Sequence, residues 1–221
     1  MGENSSNITK EKDSAVTYQR LFWLFIIGSV MGVIIEGVWY YFMHDRWETH
    51  VVTIWGPFCI IYGFGFSGYY AACHAFGKQN IFLRFLIYAC LGSGVELICG
   101  LLLKYCLNMK AWTYSHYPLN FMGLICVKMT IIWGLVGLIF QLLLPLFDCL
   151  LSHMESRAWN IGCIVFSFFM AIDFIVTGAC FLRWKERHEK EPPSNRIEKI
   201  IDEHYDSEFM KERFVEWRFI S

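Results

Sequence analysis

Four ionisable side chains lie inside long apolar stretches of this sequence, and they are the residues with the clearest chemical potential. They are Glu36, Glu96, Lys128 and Asp173. Charged groups are costly in hydrocarbon and usually face a protein interior or a watery cavity, where they pair or serve a pathway. One interpretation is that Lys128 neutralises Glu36 or Glu96, leaving the other carboxylate to bind a cation, a proton or a polar substrate group. The alternative is a closed ion-pair network that only locks helices together.

The apolar stretches that hold these residues are long enough to be transmembrane helices. Hydrophobic residues make up 56% of the chain and the mean hydropathy is +0.39, which is more than a soluble fold of this size can bury. A block of about 18 or more apolar residues can cross the bilayer as a helix. The sequence predicts about five such spans, at 21–43, 51–73, 81–103, 123–147 and 159–182. The expected fold is therefore all-α, a polytopic bundle over 21–182 that crosses the cell membrane several times.

The segments outside the bundle are polar. Residues 1–20 are mixed in charge and are predicted to form no domain. The tail, 183–221, begins with the basic run 183–190 and continues with apolar residues at three- and four-residue steps, the pattern of an amphipathic helix. This helix is expected to lie on the membrane surface or on the protein's own loops, and the alternative is a docking helix for a partner. The basic run favours a cytoplasmic C-terminus.

Two of the acidic residues belong to a short internal echo. Gly32 and Glu36 in the first span are matched 60 residues later by Gly92 and Glu96 in the third, which indicates a parallel repeat of two spans. At a rise of about 1.5 Å per residue, all four ionisable residues are expected about 8 to 14 Å inside the same face of the bundle. The sequence therefore predicts one polar cluster.

Several classes of function have no support in the sequence. A net charge of −1 gives no electrostatic case for nucleic acid. The nine cysteines contain no C-x-x-C pair and the seven histidines show no metal-ligand spacing, so no metal and no cofactor are expected. The chain has no G-x-x-x-x-G-K-[ST] motif for nucleotide binding. No G-x-S-x-G or H-E-x-x-H motif identifies catalytic residues either.

Short motifs follow the two glutamates in a fixed order. They are Gly56-Pro57, Tyr62-Gly63, Trp112-Thr113-Tyr114-Ser115, Asn120-x-x-Gly123 and Trp133-Gly134. Taken in this order from about Gly28 to Asp173, they resemble the bacterial family of ABC-transporter permeases of the CmpB type. The chain departs from the family pattern at 50–52, where the family tends to have Asn-Arg-Gly, at Ile60, where it has Pro, and at Thr113, where it has Asp.

The resemblance implies a permease that moves a small polar or ionic solute together with a separate ATPase subunit. Membrane lipids are the other expected partners, and the sequence leaves a homo-oligomer open. Two other functions compete with this one. One is an intramembrane enzyme that uses Glu36 and Glu96 as acid and base on a lipid-linked substrate, and the other is a structural or regulatory membrane subunit without chemistry of its own.

The motif residues extend the predicted substrate or ion pathway beyond the four charged groups. The candidates are Glu36, Glu96, Lys128, Asp173, Tyr62, Trp112, Tyr114, Ser115 and Asn120. Tyr62 is expected either to donate a hydrogen bond to the glutamates or to sit at the membrane interface. Ser115 and Asn120 are expected either to cap the fourth span or to line an entrance, with capping favoured for Asn120.

Glycine and proline suggest how the second span is built. Gly56-Pro57 is predicted to begin its helix, because proline in a first turn gives up only an amide that has no intrahelical acceptor. Gly63, Gly65 and Gly68 are predicted to let neighbouring helices approach closely. Backbone ligation of a substrate is the alternative use of these glycines.

Overall fold

Seven helices and four two-residue strands make up the part of the chain that this computed structural model describes, residues 16–220. The helices are α1 (Tyr18–His44), α2 (Ile60–Phe76), α3 (Ile81–Leu107), α4 (Val127–His153), α5 (Arg157–His188), α6 (Arg196–His204) and α7 (Ser207–Arg213). The strands are β1 (Met109–Lys110), β2 (Asn120–Phe121), β3 (Ile125–Cys126) and β4 (Arg218–Phe219), and they pair antiparallel as β1 with β4 and β2 with β3. Most of the predicted N-terminal segment 1–20 lies outside the described residues.

Four helices are long and apolar enough to cross a membrane, namely α1, α3, α4 and α5. They lie close to four of the predicted spans, and the predicted all-α membrane bundle is confirmed. The helix α2 has 17 residues, so its crossing of the bilayer stays a prediction.

The predicted span at 51–73 is wrong at its start, because the helix begins only at Ile60. Gly56 has a left-handed φ of 71°, which takes the backbone out of the helical region. Val52 donates its N–H to the carbonyl of Phe58 (2.8 Å), and Cys59 donates to the carbonyl of Ser29 in α1 (3.0 Å). Residues 51–59 therefore form a loop that its own backbone hydrogen bond closes and that Cys59 attaches to α1, and Gly56-Pro57 does not begin the helix.

Two helix pairs, α1 with α2 and α3 with α4, pack along their lengths in equivalent ways. The matching contacts of a ring on a glycine are Tyr62 on Gly32, Trp133 on Gly92, Phe25 on Gly63 and Phe85 on Gly134. Because glycine has no side chain, an aromatic ring of the partner helix packs directly on the backbone at each of these positions, and the two helices approach closely. These contacts support the parallel two-span repeat, whose second copy has a longer connection between its helices.

The C-terminal tail folds into two short helices rather than the one amphipathic helix predicted. Asp206 separates them, because its carboxylate accepts hydrogen bonds from the N–H groups of Glu208 (3.1 Å) and Phe209 (2.8 Å) and so starts α7. The apolar side of the tail packs on the protein itself. Its buried members and their partners are Ile201, Met210, Phe214, Ile54, Met109, Cys180, Phe181 and Trp184.

An ion-pair cluster attaches α6 to the end of α5. Arg183 is 3% exposed and donates to both carboxylate oxygens of Asp202 at 2.9 to 3.2 Å, and Arg187 donates to the same carboxylate. The hydrogen bonds from Arg183 lower the pKa of Asp202, in spite of partial burial, and those from Arg187 add to the effect. A carboxyl group with a lowered pKa stabilises the fold above its unfolded value, and this contribution is lost as the pH falls through the folded value.

The change Asp202→Asn is expected to loosen the tail at neutral pH. It removes the carboxylate that joins α6 to the buried Arg183, which keeps only Glu186 of its own helix as a carboxylate partner. This costs about 2 kcal/mol, or roughly a thirtyfold faster amide exchange over 196–213. In the wild type the same loosening is expected only below about pH 4, where the unfolded aspartate becomes protonated. Hydrogen-deuterium exchange, corrected for intrinsic rates, measures both effects. Glu203→Gln, an exposed neighbour, is the control, and equal exchange in the two variants would refute the prediction.

Candidate functional site

A cavity of about 770 Å³ lies where the loop 51–59, the loop 108–126 and the tail meet the bundle. Six of the nine predicted pathway residues line it, namely Glu36, Tyr62, Glu96, Trp112, Tyr114 and Lys128. Asp173, Ser115 and Asn120 do not line it. Most of the wall is apolar and aromatic, so the few charged groups stand out as points where a polar guest would be held.

Glu96 is buried and held on both sides. Its Oε1 accepts a hydrogen bond from the Tyr114 hydroxyl (2.6 Å) and its Oε2 accepts one from the indole N–H of Trp133 (3.0 Å). Burial and the adjacent Glu96 raise the pKa of Tyr114, which lies in the loop, so that its hydroxyl stays a donor. Gly92, one turn before Glu96, makes room for Trp133. The carboxylate therefore has a fixed orientation.

Glu36 is the more accessible carboxylate, with 31% of its side chain exposed. Its Oε2 lies 3.1 Å from Nδ1 of His50, and the same nitrogen lies 3.0 Å from Oε2 of Glu216 in the tail. Burial lowers the pKa of His50, but the carboxylates of Glu216 and Glu36 outweigh this and raise it to about 10. Glu36 thus meets two groups, His50 and Glu216, that sequence reasoning did not place in the site.

Lys128 is exposed and does not neutralise either glutamate as predicted. Its ammonium group donates to the hydroxyl of Tyr117 (3.2 Å) and lies 4.5 Å from the centre of that ring. Within residues 16–220, it forms no ion pair with Glu36 or Glu96. The reason is local, because the first turn of α4 faces the loop that carries Tyr117, whose ring attracts a cation.

Asp173 does not join the predicted polar cluster. It is fully buried in α5, where it accepts hydrogen bonds from the backbone N–H of Trp55 (3.1 Å) and the hydroxyl of Thr177 (3.2 Å). Trp55 belongs to the loop 51–59 and Thr177 to α5, so Asp173 holds this loop against α5. The prediction of a single cluster of four charged residues is therefore wrong for Asp173, which anchors a segment of backbone.

Ser115 and Asn120 stabilise the loop before α4. Asn120 accepts a hydrogen bond from the N–H of Gly123 (3.0 Å) and donates one to the carbonyl of Tyr117 (2.8 Å). The hydroxyl of Ser115 lies 2.9 Å from that of Thr113. The helix α4 begins after Cys126 without a side-chain cap, so the predicted capping by Asn120 is wrong.

A second polar cluster lies near the other ends of the helices and was missed in the sequence. Arg20 is 1% exposed and donates to Glu155 (2.8 Å) and to the hydroxyl of Tyr70 (3.2 Å), which itself donates to Asp148 (2.7 Å). His74 completes the group, 3.3 Å from Asp148. Arg20 and Asp148 fall just outside the apolar blocks, so a search for charges within them could not find this cluster.

Comparison with known proteins gives one family. The family model described as "Putative ABC-transporter type IV", of the CmpB type, matches residues 23–178. Comparisons with curated proteins and with solved structures give no match. The matched range covers most of α1, all of α2 to α4 and most of α5. It contains Glu36, Glu96 and the motifs from Gly56 to Gly134, whereas the tail lies beyond it. The chain belongs to the ABC-transporter type IV family of the CmpB type.

Proposed function

We propose that this chain is the membrane-spanning permease subunit of an ABC transporter, and that it moves a small polar or ionic solute with the help of a separate ATPase. The observation that carries the proposal is the cavity of about 770 Å³ that reaches from the tail to Glu96. Its size lies within the range of small-molecule sites. The family assignment supports the same class of function.

The two glutamates have different roles in this proposal. Both oxygens of Glu96 already accept hydrogen bonds, so Glu96 holds Tyr114 and Trp133 in place as the cavity wall. Glu36 is partly exposed and faces the cavity, so it is the carboxylate that contacts a cationic or hydrogen-bond-donating part of the solute. Lys128, an exposed residue of the cavity wall, offers a positive charge to an anionic part.

In this proposal the energy for transport comes from a separate ATPase. The absence of a phosphate-binding loop in the sequence and the ABC-transporter description of the matched family support this. We propose that the ATPase binds at the face that carries the tail, with the C-terminus in the cytoplasm. The basic residues at the end of α5 favour that side.

The test begins with purification of the tagged chain from its own cells in mild detergent. A co-purifying protein with a phosphate-binding loop is expected, and the complex in liposomes is expected to hydrolyse ATP faster when a transported solute is present. Glu36→Gln is expected to reduce this stimulation at least tenfold at unchanged abundance in the membrane. Lys78→Gln, an exposed residue in the loop between α2 and α3 and away from the tail, is the control.

Two results would overturn the proposal. One is the absence of any ATPase in the purified complex, together with a change in membrane lipids that follows deletion and is reversed by the wild type but not by Glu36→Gln. That result would favour the intramembrane enzyme. The other is a loss of protein abundance in Glu36→Gln and Glu96→Gln without any separable loss of activity, which would leave only a structural role.

A further inference from the structure

Three potential metal ligands converge in the wall of the cavity. They are Glu36 from α1, His50 from the segment after α1, and Glu216 from the tail, and their ligand atoms all lie within 4.8 Å of one another. Nδ1 of His50 lies between the two carboxylates, 3.1 Å from Glu36 and 3.0 Å from Glu216. Residues far apart in the sequence thus direct one nitrogen and two oxygen atoms to the same point.

The imidazole of His50 is the independent sign of a ligand. Its side chain is 8% exposed, and neither ring nitrogen has a hydrogen-bond partner within residues 16–220. The two carboxylates raise the pKa of the ring and lie near Nδ1, but they are not aligned with a proton on it. A cation bound there would replace that proton. A buried polar atom without a partner is costly, so a ring in this position calls for a group that binds Nδ1 and both carboxylates together.

The spacing of the three atoms fits a metal ion. Nitrogen and oxygen ligands bind divalent zinc at about 2.0 to 2.2 Å in a tetrahedral arrangement, so adjacent ligand atoms lie about 3.3 to 3.6 Å apart. The distances of 3.1 and 3.0 Å at Nδ1 are slightly shorter, so small side-chain rotations would complete the site. We propose that Glu36, His50 and Glu216 form a binding site for a divalent transition-metal cation such as Zn²⁺.

The donor set determines the class of cation. One imidazole and two carboxylates suit zinc and related first-row ions, whereas magnesium and calcium prefer sites made of oxygen atoms alone. Three protein ligands leave further coordination positions for water or for a guest in the cavity. The site is therefore expected to bind Zn²⁺ in preference to Mg²⁺ and Ca²⁺.

A metal at this place would tie the tail to the bundle. Glu216 follows α7, whereas Glu36 lies near the end of α1, and both line the cavity. Occupancy of the site would hold the tail against the cavity and the bundle. This inference goes beyond the proposed function, because a metal can bind here whether or not the chain transports a solute.

The test uses the full-length chain in detergent, treated with a chelator and then dialysed against Zn²⁺. Elemental analysis is expected to find one more bound Zn²⁺ per chain in the wild type than in Glu216→Gln, and the affinity at that site is expected to be at least tenfold weaker in the variant. Glu216 is 43% exposed, so its replacement leaves the packing intact. Glu212→Gln, an exposed neighbour on α7, is the matched control and should bind as the wild type does.

A second measurement separates this site from zinc bound at cysteines. Zn²⁺ is expected to slow amide exchange over 207–219 in the wild type and in Glu212→Gln, but not in Glu216→Gln or His50→Gln. Equal zinc content and equal exchange in all four proteins would overturn the proposal. In that case, the His50 ring would be an imidazolium that bridges the two carboxylates without a metal.

The failure of this proposal is distinguishable from the failure of the transport proposal. Zinc binding is measured without ATP, an ATPase or a solute. Glu216→Gln and Glu36→Gln both remove a metal ligand, but only Glu36 is assigned a contact with the solute. A wild-type chain that binds the extra zinc, but whose complex does not respond to a solute, would support the metal site and overturn the transport proposal.

Discussion

Alanine at Gly63 is expected to destabilise the protein by about 2 to 3 kcal/mol, whereas alanine at Gly65 in the same helix is expected to be neutral or stabilising. A Cβ atom at Gly63 would lie 2.7 Å from the backbone carbonyl oxygen of Phe25 and would also overlap the hydroxyl of Ser29. Because backbone cannot rotate away as a side chain can, α1 and α2 would have to move apart. A Cβ atom at Gly65 would meet no atom within 4 Å.

The gain at Gly65 follows from helix propensity. Glycine within a helix is less favourable than alanine by about 0.5 to 1 kcal/mol, so Gly65→Ala removes a cost without adding a contact. Thermal unfolding of the two variants in detergent, followed by circular dichroism, compares them directly. Equal unfolding temperatures would show that α1 and α2 are not in close contact at Gly63, and the packing of this helix pair would have to be revised.

The difference between these glycines shows what the sequence could predict. The spacing correctly indicated close helix packing for Gly63, but Gly65 lies about 200° further round a helix of 3.6 residues per turn and so faces away. The four long helices followed from block length, because hydrocarbon thickness sets a minimum run of apolar residues. The start of α2 did not, since residues 51–59 are as apolar as a helix, and the positive φ of Gly56 together with hydrogen bonds to α1 and α5 takes them out of it.

The level of the charged side chains along their helices was predictable from the sequence, whereas the neighbouring helix that each side chain faces was not. Counting residues from the ends of the apolar blocks placed Glu36 and Glu96 at one level, and both line the cavity. The same count included Asp173, which lies in α5 and accepts a hydrogen bond from the loop 51–59. A rise per residue gives the level of a side chain but not the helix that it faces, so helix arrangement decided this case.

The contacts of the tail had even less signal in the sequence. Glu216 reaches His50 from a position 166 residues further along the chain, and no local spacing joins the two. The periodic spacing of apolar residues in the tail did predict that one side of it is buried, and Met210 and Phe214 are buried. The helix break at Asp206 was readable as an N-cap residue, although the alternation of apolar residues continued past it and suggested one helix.

Replacement of Arg20 by leucine is expected to destabilise the protein by about 3 kcal/mol. Arg20 is 1% exposed, and its guanidinium group connects α1 with Tyr70 of α2 and, 3.7 Å away, with Asp148 of α4. Without it, Asp148 keeps the hydroxyl of Tyr70 but loses its nearest arginine. Glu155→Gln is the milder comparison, because Glu155 is 43% exposed and a glutamine carbonyl can still accept the hydrogen bond from Arg20.

Double replacement tests whether Arg20 acts through Asp148. If the cost of Arg20→Leu comes from the lost ion pair with Asp148, then Asp148→Asn should be less destabilising in the Arg20→Leu background than in the wild type. The expected coupling energy is at least about 1 kcal/mol. Additive effects would instead assign the cost to lost packing of the arginine side chain. In either case the cavity lies near the other ends of these helices, so ATP hydrolysis per folded complex should be unchanged by Arg20→Leu.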